Sequence, residues 1–147
     1  MAATLPERQE RCGGPLVSQA LRYAVELPGR GEQVLVHADL HYGNILAGRR
    51  RPWLAIDPRP VRGAPEHAVP ELMWSRADDL SSGAEIRRLL STMVDAGGLD
   101  GSLARAWVIT RCVDYWLWGV ERGLTVDPVR CSRVLAALLP DRSSPVS

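Results

Sequence analysis

The stretch VLVHADLHYGNILAGRRRPWLAIDP, Val34 to Pro58, alternates short apolar runs with polar turns. Val34-Leu35-Val36 is too short for a helix and apolar enough for a buried strand. A polar loop runs from His37 to Gly43. Ile45-Leu46-Ala47 reads as a second strand, and Gly48-Arg49-Arg50-Arg51-Pro52 as a turn. Trp53-Leu54-Ala55-Ile56 reads as a third strand, closed by Asp57-Pro58. The three runs predict one small sheet element, with the polar loop carried between strands.

Outward from this stretch the period becomes helical. Upstream, residues 1–14 are polar, contain Gly13-Gly14 and read as a flexible N-terminus. Pro15 can open a helix at its first turn, and Val17, Ala20, Leu21, Ala24 and Val25 keep helical spacing to residue 27. Downstream, the spacing predicts helices over 71–81, 84–96, 102–122 and 127–139, the third of them the longest. Residues 140–147 read as a disordered tail. The fold class expected is therefore α+β, mostly α, with one unit over 15–139. Trp53 and Trp74 are expected in the core. Trp118 is offset from the face of Trp107 and Trp116 and is expected on an inter-helix or partner surface.

Composition narrows the function. Hydrophobic residues at 46% and charged residues at 24% suit an ordinary globular domain. A net charge of +1 gives no electrostatic reason to expect nucleic acid as a partner. No run approaches the ~20 apolar residues of a membrane span. Cys12, Cys112 and Cys131 form no C-x-x-C pair, which excludes a zinc ribbon or redox dithiol. With no secretory h-region in residues 1–11, the expectation is reduced thiols in a cytoplasmic protein, with Cys112 and Cys131 as buried fillers. All 18 basic residues are Arg. Residues 49–65 hold five Arg and one Asp, and residues 66–100 hold seven acids and three Arg. The acidic stretch is a solvated face or helps line a site for a cationic ligand.

The chemistry lies in the quoted stretch. His37, Asp39 and Asn44 have the H-x-D-x-x-x-x-N spacing of a kinase catalytic loop, and Asp57 ends the strand that follows. A hydroxyl attacking a γ-phosphate needs a carboxylate to orient it and take its proton, a role that suits Asp39. Mg²⁺ at the phosphates is a hard cation that takes oxygen ligands, a role that suits Asn44 and Asp57. Gly43 allows a tight turn between base and ligand.

The segments HADLHYGNIL and WLAIDPRPVRGAPEHAVPELMW resemble the aminoglycoside and hydroxyurea antibiotic-resistance kinases, especially their streptomycin 6-phosphotransferase branch. The likeness extends from Leu16 to Leu139 and is sharpest between Val36 and Trp74. The family pattern is H-G-D-L-H-x-G-N-x-L, then I-D-P-K, then G-D-P. The resemblance implies a protein-kinase-like C-terminal lobe, a small β element with the catalytic loop packed on a helical bundle. It implies Asp39 as catalytic base and Asn44 and Asp57 as Mg²⁺ ligands. His37 would sit in the cofactor-binding loop and brace it. It implies ATP and Mg²⁺ as cofactors and a small, cationic, aminoglycoside-like alcohol as acceptor. Asp114, one turn from Trp118, is a candidate contact for the acceptor's ammonium group. Three residues depart from the pattern: Ala38 stands for Gly, Arg59 for Lys, and Gly63-Ala64-Pro65 lacks the acid of G-D-P.

A kinase also has an N-terminal lobe, with a Gly-rich loop over the phosphates and a strand Lys. Only 36 residues precede His37, no Gly-rich loop lies among them, and the chain has no Lys. The expectation is a truncated kinase lacking its N-lobe and weak or inactive alone. Two alternatives belong to other classes. One is a non-catalytic remnant that binds a small molecule or protein. The other is a small metal-dependent hydrolase using His37, Asp39 and His41, whose donors suit Zn²⁺, Mn²⁺ or Fe²⁺.

Overall fold

Capping residues set the helix boundaries of the helical part. Ser82 accepts the Glu85 N–H at 3.2 Å, while Glu85 Oε2 accepts the Ser81 N–H at 2.6 Å, a reciprocal pair that starts the helix at Gly83. Gly98, at φ 60°, ends that helix in the left-handed conformation that costs glycine little. Asp100 Oδ1 accepts the Leu103 N–H at 2.8 Å and starts the next helix.

The computed structural model describes residues 5–139, with side chains from Gly14 onward. The order is α1 (Leu5–Glu26), β1 (Val34–Val36), β2 (Ile45–Ala47), β3 (Trp53–Ala55), β4 (Val61–Gly63), α2 (Val69–Ser75), α3 (Gly83–Gly97), α4 (Gly101–Glu121) and α5 (Val126–Leu138). Short 3₁₀ turns occupy Tyr42–Asn44, Pro65–Ala68 and Ala77–Asp79. The architecture is α+β and mostly helical, as expected.

The core is helical. α4 packs against α1, α2, α3 and α5, and buried residues lie on several of its sides, including Ala104, Val108, Ile109, Cys112, Val113 and Trp116. A helix surrounded by others needs no polar face. Met73 and Trp74 of α2, and Val134 and Leu135 of α5, complete the cluster. Cys112 and Cys131 are buried free thiols, as expected, and burial together with the neighbouring Cys131 raises the Cys112 thiol well above its ordinary pKa. The end of α5 is covered by two guanidinium groups: Arg87 donates to the Ala137 carbonyl at 3.0 Å and Arg105 to the Leu138 carbonyl at 2.7 Å. Cations suit the unpaired carbonyls of a helix C-terminus.

Several expectations need correction. α1 begins at Leu5 and passes through Pro15, so Gly13-Gly14-Pro15 does not mark its start. Residues 1–4 and 140–147 lie outside the described residues. The helix expected over 71–81 stops at Ser75, whose hydroxyl donates to the Glu71 carbonyl at 2.6 Å, and a separate 3₁₀ turn follows. The single sheet is two antiparallel ladders. β2 pairs with β3, whereas β1 pairs with β4, a strand that no sequence pattern marks. β1 is not a buried strand: Val36 is buried, but Leu35 is 80% exposed. Trp53 is not in the core but 68% exposed, while Trp74 is buried as expected. Trp118 is partly exposed, stacked on Tyr115 at 5.6 Å with the Arg122 guanidinium 4.9 Å from its ring centroid.

Candidate active site

The loop after β1 is held mainly by bonds to backbone. His37 Nε2 lies 2.7 Å from the Ile56 carbonyl, and its Nδ1 accepts the Asp39 N–H at 3.3 Å. A carbonyl only accepts, so these two bonds together assign the neutral tautomer with its proton on Nε2. The Arg59 N–H donates to the His37 carbonyl at 2.9 Å, so the segment after β3 is tied to the root of the loop. His41 Nδ1 caps the Tyr42–Asn44 turn by accepting the Gly43 N–H at 3.1 Å.

Asn44 links the two halves of the site. Its Nδ2 donates to the Asp39 carbonyl at 2.8 Å, and its own carbonyl accepts the Ile56 N–H at 2.8 Å. Asn44 is buried, so these bonds are shielded from water. Asp57 follows Ile56 directly and has φ 52°; Ala38, beside the candidate base, has the same value. Non-glycine residues in this region are uncommon, and they concentrate where a site imposes the conformation. Among the described residues, no hydrogen bond or ion pair engages the Asp57 carboxylate. The Asp39 carboxylate is partly exposed, with Arg59 Nε 3.6 Å from its Oδ2.

A second layer lies beneath the loop, and spacing alone did not reveal it. Glu71 of α2 pairs with Arg111 of α4 at 3.3 Å, and Arg111 Nη1 lies 3.2 Å from His67 Nε2. An arginine only donates, so His67 Nε2 accepts there. Burial lowers the His67 pKa, and the Arg111 charge adds to the fall. Burial raises the Glu71 pKa; Arg111 opposes the rise, and the charge of Asp39 adds to it. His67 packs edge-on to Trp107 at 4.8 Å. Arg76, at the end of α2, sits 5.0 Å over the Tyr42 ring, a second contact between helix and loop. Glu71, His67 and Arg111 fall on three elements, and no sequence interval marks them as partners.

The site residues expected from sequence are placed unevenly. His37, Asp39 and Asn44 share one hydrogen-bonded loop, and Asp57 is one residue beyond its anchor at Ile56. Asp114 is exposed on α4, and no hydrogen bond or ion pair joins it to the loop among the described residues. A cleft of about 330 Å³ on β4, lined by Leu27, Gln33, Val61, Arg62, His67 and Trp107, contains none of these five.

The sequence model of the aminoglycoside/hydroxyurea antibiotic resistance kinases matches residues 2–123. The chain belongs to this family. A hydroxyurea phosphotransferase from Kitasatospora aureofaciens is 42% identical over 105 residues, which cover 71% of this chain and 30% of the relative. A streptomycin 6-kinase from Streptomyces glaucescens is 38% identical over 108 residues, 70% of this chain and 35% of the relative. A second streptomycin 6-kinase, from Streptomyces griseus, is 38% identical over 104 residues, 68% of this chain and 34% of the relative. The chain thus spans about a third of the length of these curated relatives. No solved structure matches it. Among the described residues no helix is long and apolar enough to cross a membrane.

The residues present suit Mg²⁺ better than the softer metals of the hydrolase alternative. No group of three His, Cys, Asp or Glu side chains among the described residues could hold a metal ion. Backbone bonds engage both ring nitrogens of His37 and Nδ1 of His41. Asn44 spends its nitrogen on Asp39, which leaves Oδ1, and Asp57 offers a carboxylate. Mg²⁺ takes one or two such oxygens and fills the rest of its shell with phosphate and water.

Proposed function

We propose that this chain carries the catalytic and metal-binding loops of an ATP-dependent phosphotransferase whose acceptor is a hydroxyl of a small, cationic, aminoglycoside-like molecule. Asn44 carries the reading. One buried side chain ties the backbone of the candidate base, and the same residue's carbonyl anchors the strand end before the candidate metal ligand. The relatives named as streptomycin 6-kinases supply this acceptor class.

On this reading Asp39 orients the acceptor hydroxyl and takes its proton, and His37 braces the loop that presents it. Asn44 Oδ1 and the Asp57 carboxylate would hold Mg²⁺, which neutralises phosphate charge when bound. Leu46 and Leu54 are register partners, and Ile56 lies two residues further on the same face. All three are exposed, and on this reading they would offer an apolar surface to a purine ring. The fold would then be the C-terminal lobe of a kinase, and the exposed apolar side chains of β1–β3 would pack against an N-terminal lobe. These 147 residues alone should turn over weakly or not at all. Among these 147 residues there is no Gly-rich loop ahead of the motif and no Lys to pair the α- and β-phosphates.

The exposed Leu35 and Trp53 favour a second reading, a non-catalytic module that binds a partner through this face. Calorimetry with Mg·ATP, followed by phosphorylation assays on streptomycin and hydroxyurea, separates the two. The phosphotransferase reading expects Mg·ATP binding that Asp57→Ala weakens and Asp39→Asn does not. Absence of Mg·ATP binding in the wild-type chain would leave the binding-module reading standing.

A further inference from the structure

We propose, resting on the phosphotransferase reading, that Arg59 is a further catalytic residue whose guanidinium leaves Asp39 to hold the oxygens of the transferring phosphoryl group. Its main chain is fixed, because the Arg59 N–H donates to the His37 carbonyl at 2.9 Å, at the root of the catalytic loop. Its side chain is free to move: it is 82% exposed, and its single ion pair among the described residues is Nε to Asp39 Oδ2 at 3.6 Å. An exposed pair of this kind is weak, so exchanging it for a phosphate costs little. No hydrogen bond to a described residue engages Nη1 or Nη2, and a planar guanidinium matches two phosphate oxygens at once.

A guanidinium at this place would add to the charge neutralisation that Mg²⁺ supplies on the other side. The acceptor oxygen forms a bond to Pγ as the bond from Pγ to the β,γ-bridging oxygen breaks. The electron pair of that bond leaves with ADP, and the hydroxyl proton goes to Asp39. Negative charge is carried by the non-bridging oxygens, within reach of whatever flanks the base. These 147 residues hold no Lys, so among them a side-chain cation for this place is Arg or a protonated His. Arg76, the other guanidinium placed against the loop, is engaged by Asp79 at 2.9 Å.

The test is a binding cycle on the full chain, read by calorimetry with Mg·ATP and Mg·tripolyphosphate. Arg59→Gln should weaken both ligands about tenfold, the loss of one charge-assisted contact. Arg59→Lys should retain most of the affinity. Asp39→Asn removes the competing carboxylate and should tighten both ligands about threefold, a gain that vanishes in Asp39→Asn/Arg59→Gln. Wild-type binding that Arg59→Gln leaves unchanged overturns the proposal and spares the phosphotransferase reading. A gain from Asp39→Asn that persists in the double variant does the same. If neither ligand binds any variant, the nucleotide reading itself fails and the proposal with it.

Discussion

Along α4, Val108, Ile109 and Cys112 have no exposed surface, whereas Leu35 and Trp53 in the strands stand mostly in solvent. The helices are held by apolar packing around one axis. The loop between β1 and β3 is held by backbone bonds through His37, Asn44 and the Ile56 N–H. The difference separates two requirements. A close-packed core tolerates few changes of volume. A polar loop fixes direction, and it presents Asp39 and Asp57 to solvent with two residues at φ 52° on the way. Stability should therefore reside in the first region and chemistry in the second, and substitutions can test that division.

The largest effect should come from the loop. On the proposed phosphotransferase reading, Asp39→Asn in a form that turns over should lower turnover by roughly 10²–10⁴-fold, the usual worth of a positioned base. It should leave the thermal midpoint unchanged, because the carboxylate's only ion pair among the described residues is an exposed one. A matching loss of stability would show that Asp39 is structural, and the division between regions would fail.

Next comes the core. Met73 is fully buried among α2, α4 and α5, and Met73→Ala should cost about 2–5 kcal/mol. Leu35→Ser, at an equally apolar residue in β1, should stay within about 0.5 kcal/mol, because Leu35 has little burial to lose. Urea unfolding of both variants measures the contrast. A large loss from Leu35→Ser would mean that another surface covers the strand face in solution.

What could be read beforehand divides along the same line. The helical period placed α3, α4 and α5 to within a residue or so, because packing on one axis writes a 3.6-residue repeat into the sequence. The loop residues His37, Asp39 and Asn44 were legible because local chemistry sets their spacing. β4 was not legible: Val61-Arg62-Gly63 has no alternation, and its partner Val34–Val36 lies far back in the chain. Trp53 misled because apolar character does not reveal which face of a two-stranded ladder lacks a cover. Arg111 escaped notice because its partners Glu71 and His67 are joined to it by tertiary packing alone.

His67 lies at the joint of the two regions and should give a smaller, pH-dependent effect. Its folded-state pKa is lowered from 6.5 by burial and by Arg111. The unfolded chain therefore binds this proton more readily than the folded chain. The stability His67 contributes is full above about pH 6.5 and is lost as the pH falls through that value towards the lower folded pKa. His67→Gln should remove this part of the slope in the unfolding midpoint. An unchanged slope would show that His67 is as easily protonated folded as unfolded, and that Arg111 is not bearing on it.

The smallest effect should come from the backbone strain that separates loop from core. Ala38 sits at φ 52°, where Cβ crowds the following carbonyl and an L-residue pays about 1–2 kcal/mol. Glycine removes that crowding but adds roughly 0.5–1 kcal/mol of unfolded-state entropy. The difference predicts that Ala38→Gly stabilises the chain by a few tenths to about 1 kcal/mol. The Asp39 N–H to His37 Nδ1 bond spans this residue and should survive, because glycine adopts the same angles freely. Mg·ATP affinity should therefore be unchanged while the urea midpoint rises. A fall in the midpoint would mean that the unfolded-state cost exceeds the relief, and that Ala38 holds its conformation with little strain. A rise in the midpoint accompanied by weaker Mg·ATP binding would say something different: that the strained alanine, and not the hydrogen bonds alone, keeps Asp39 aimed.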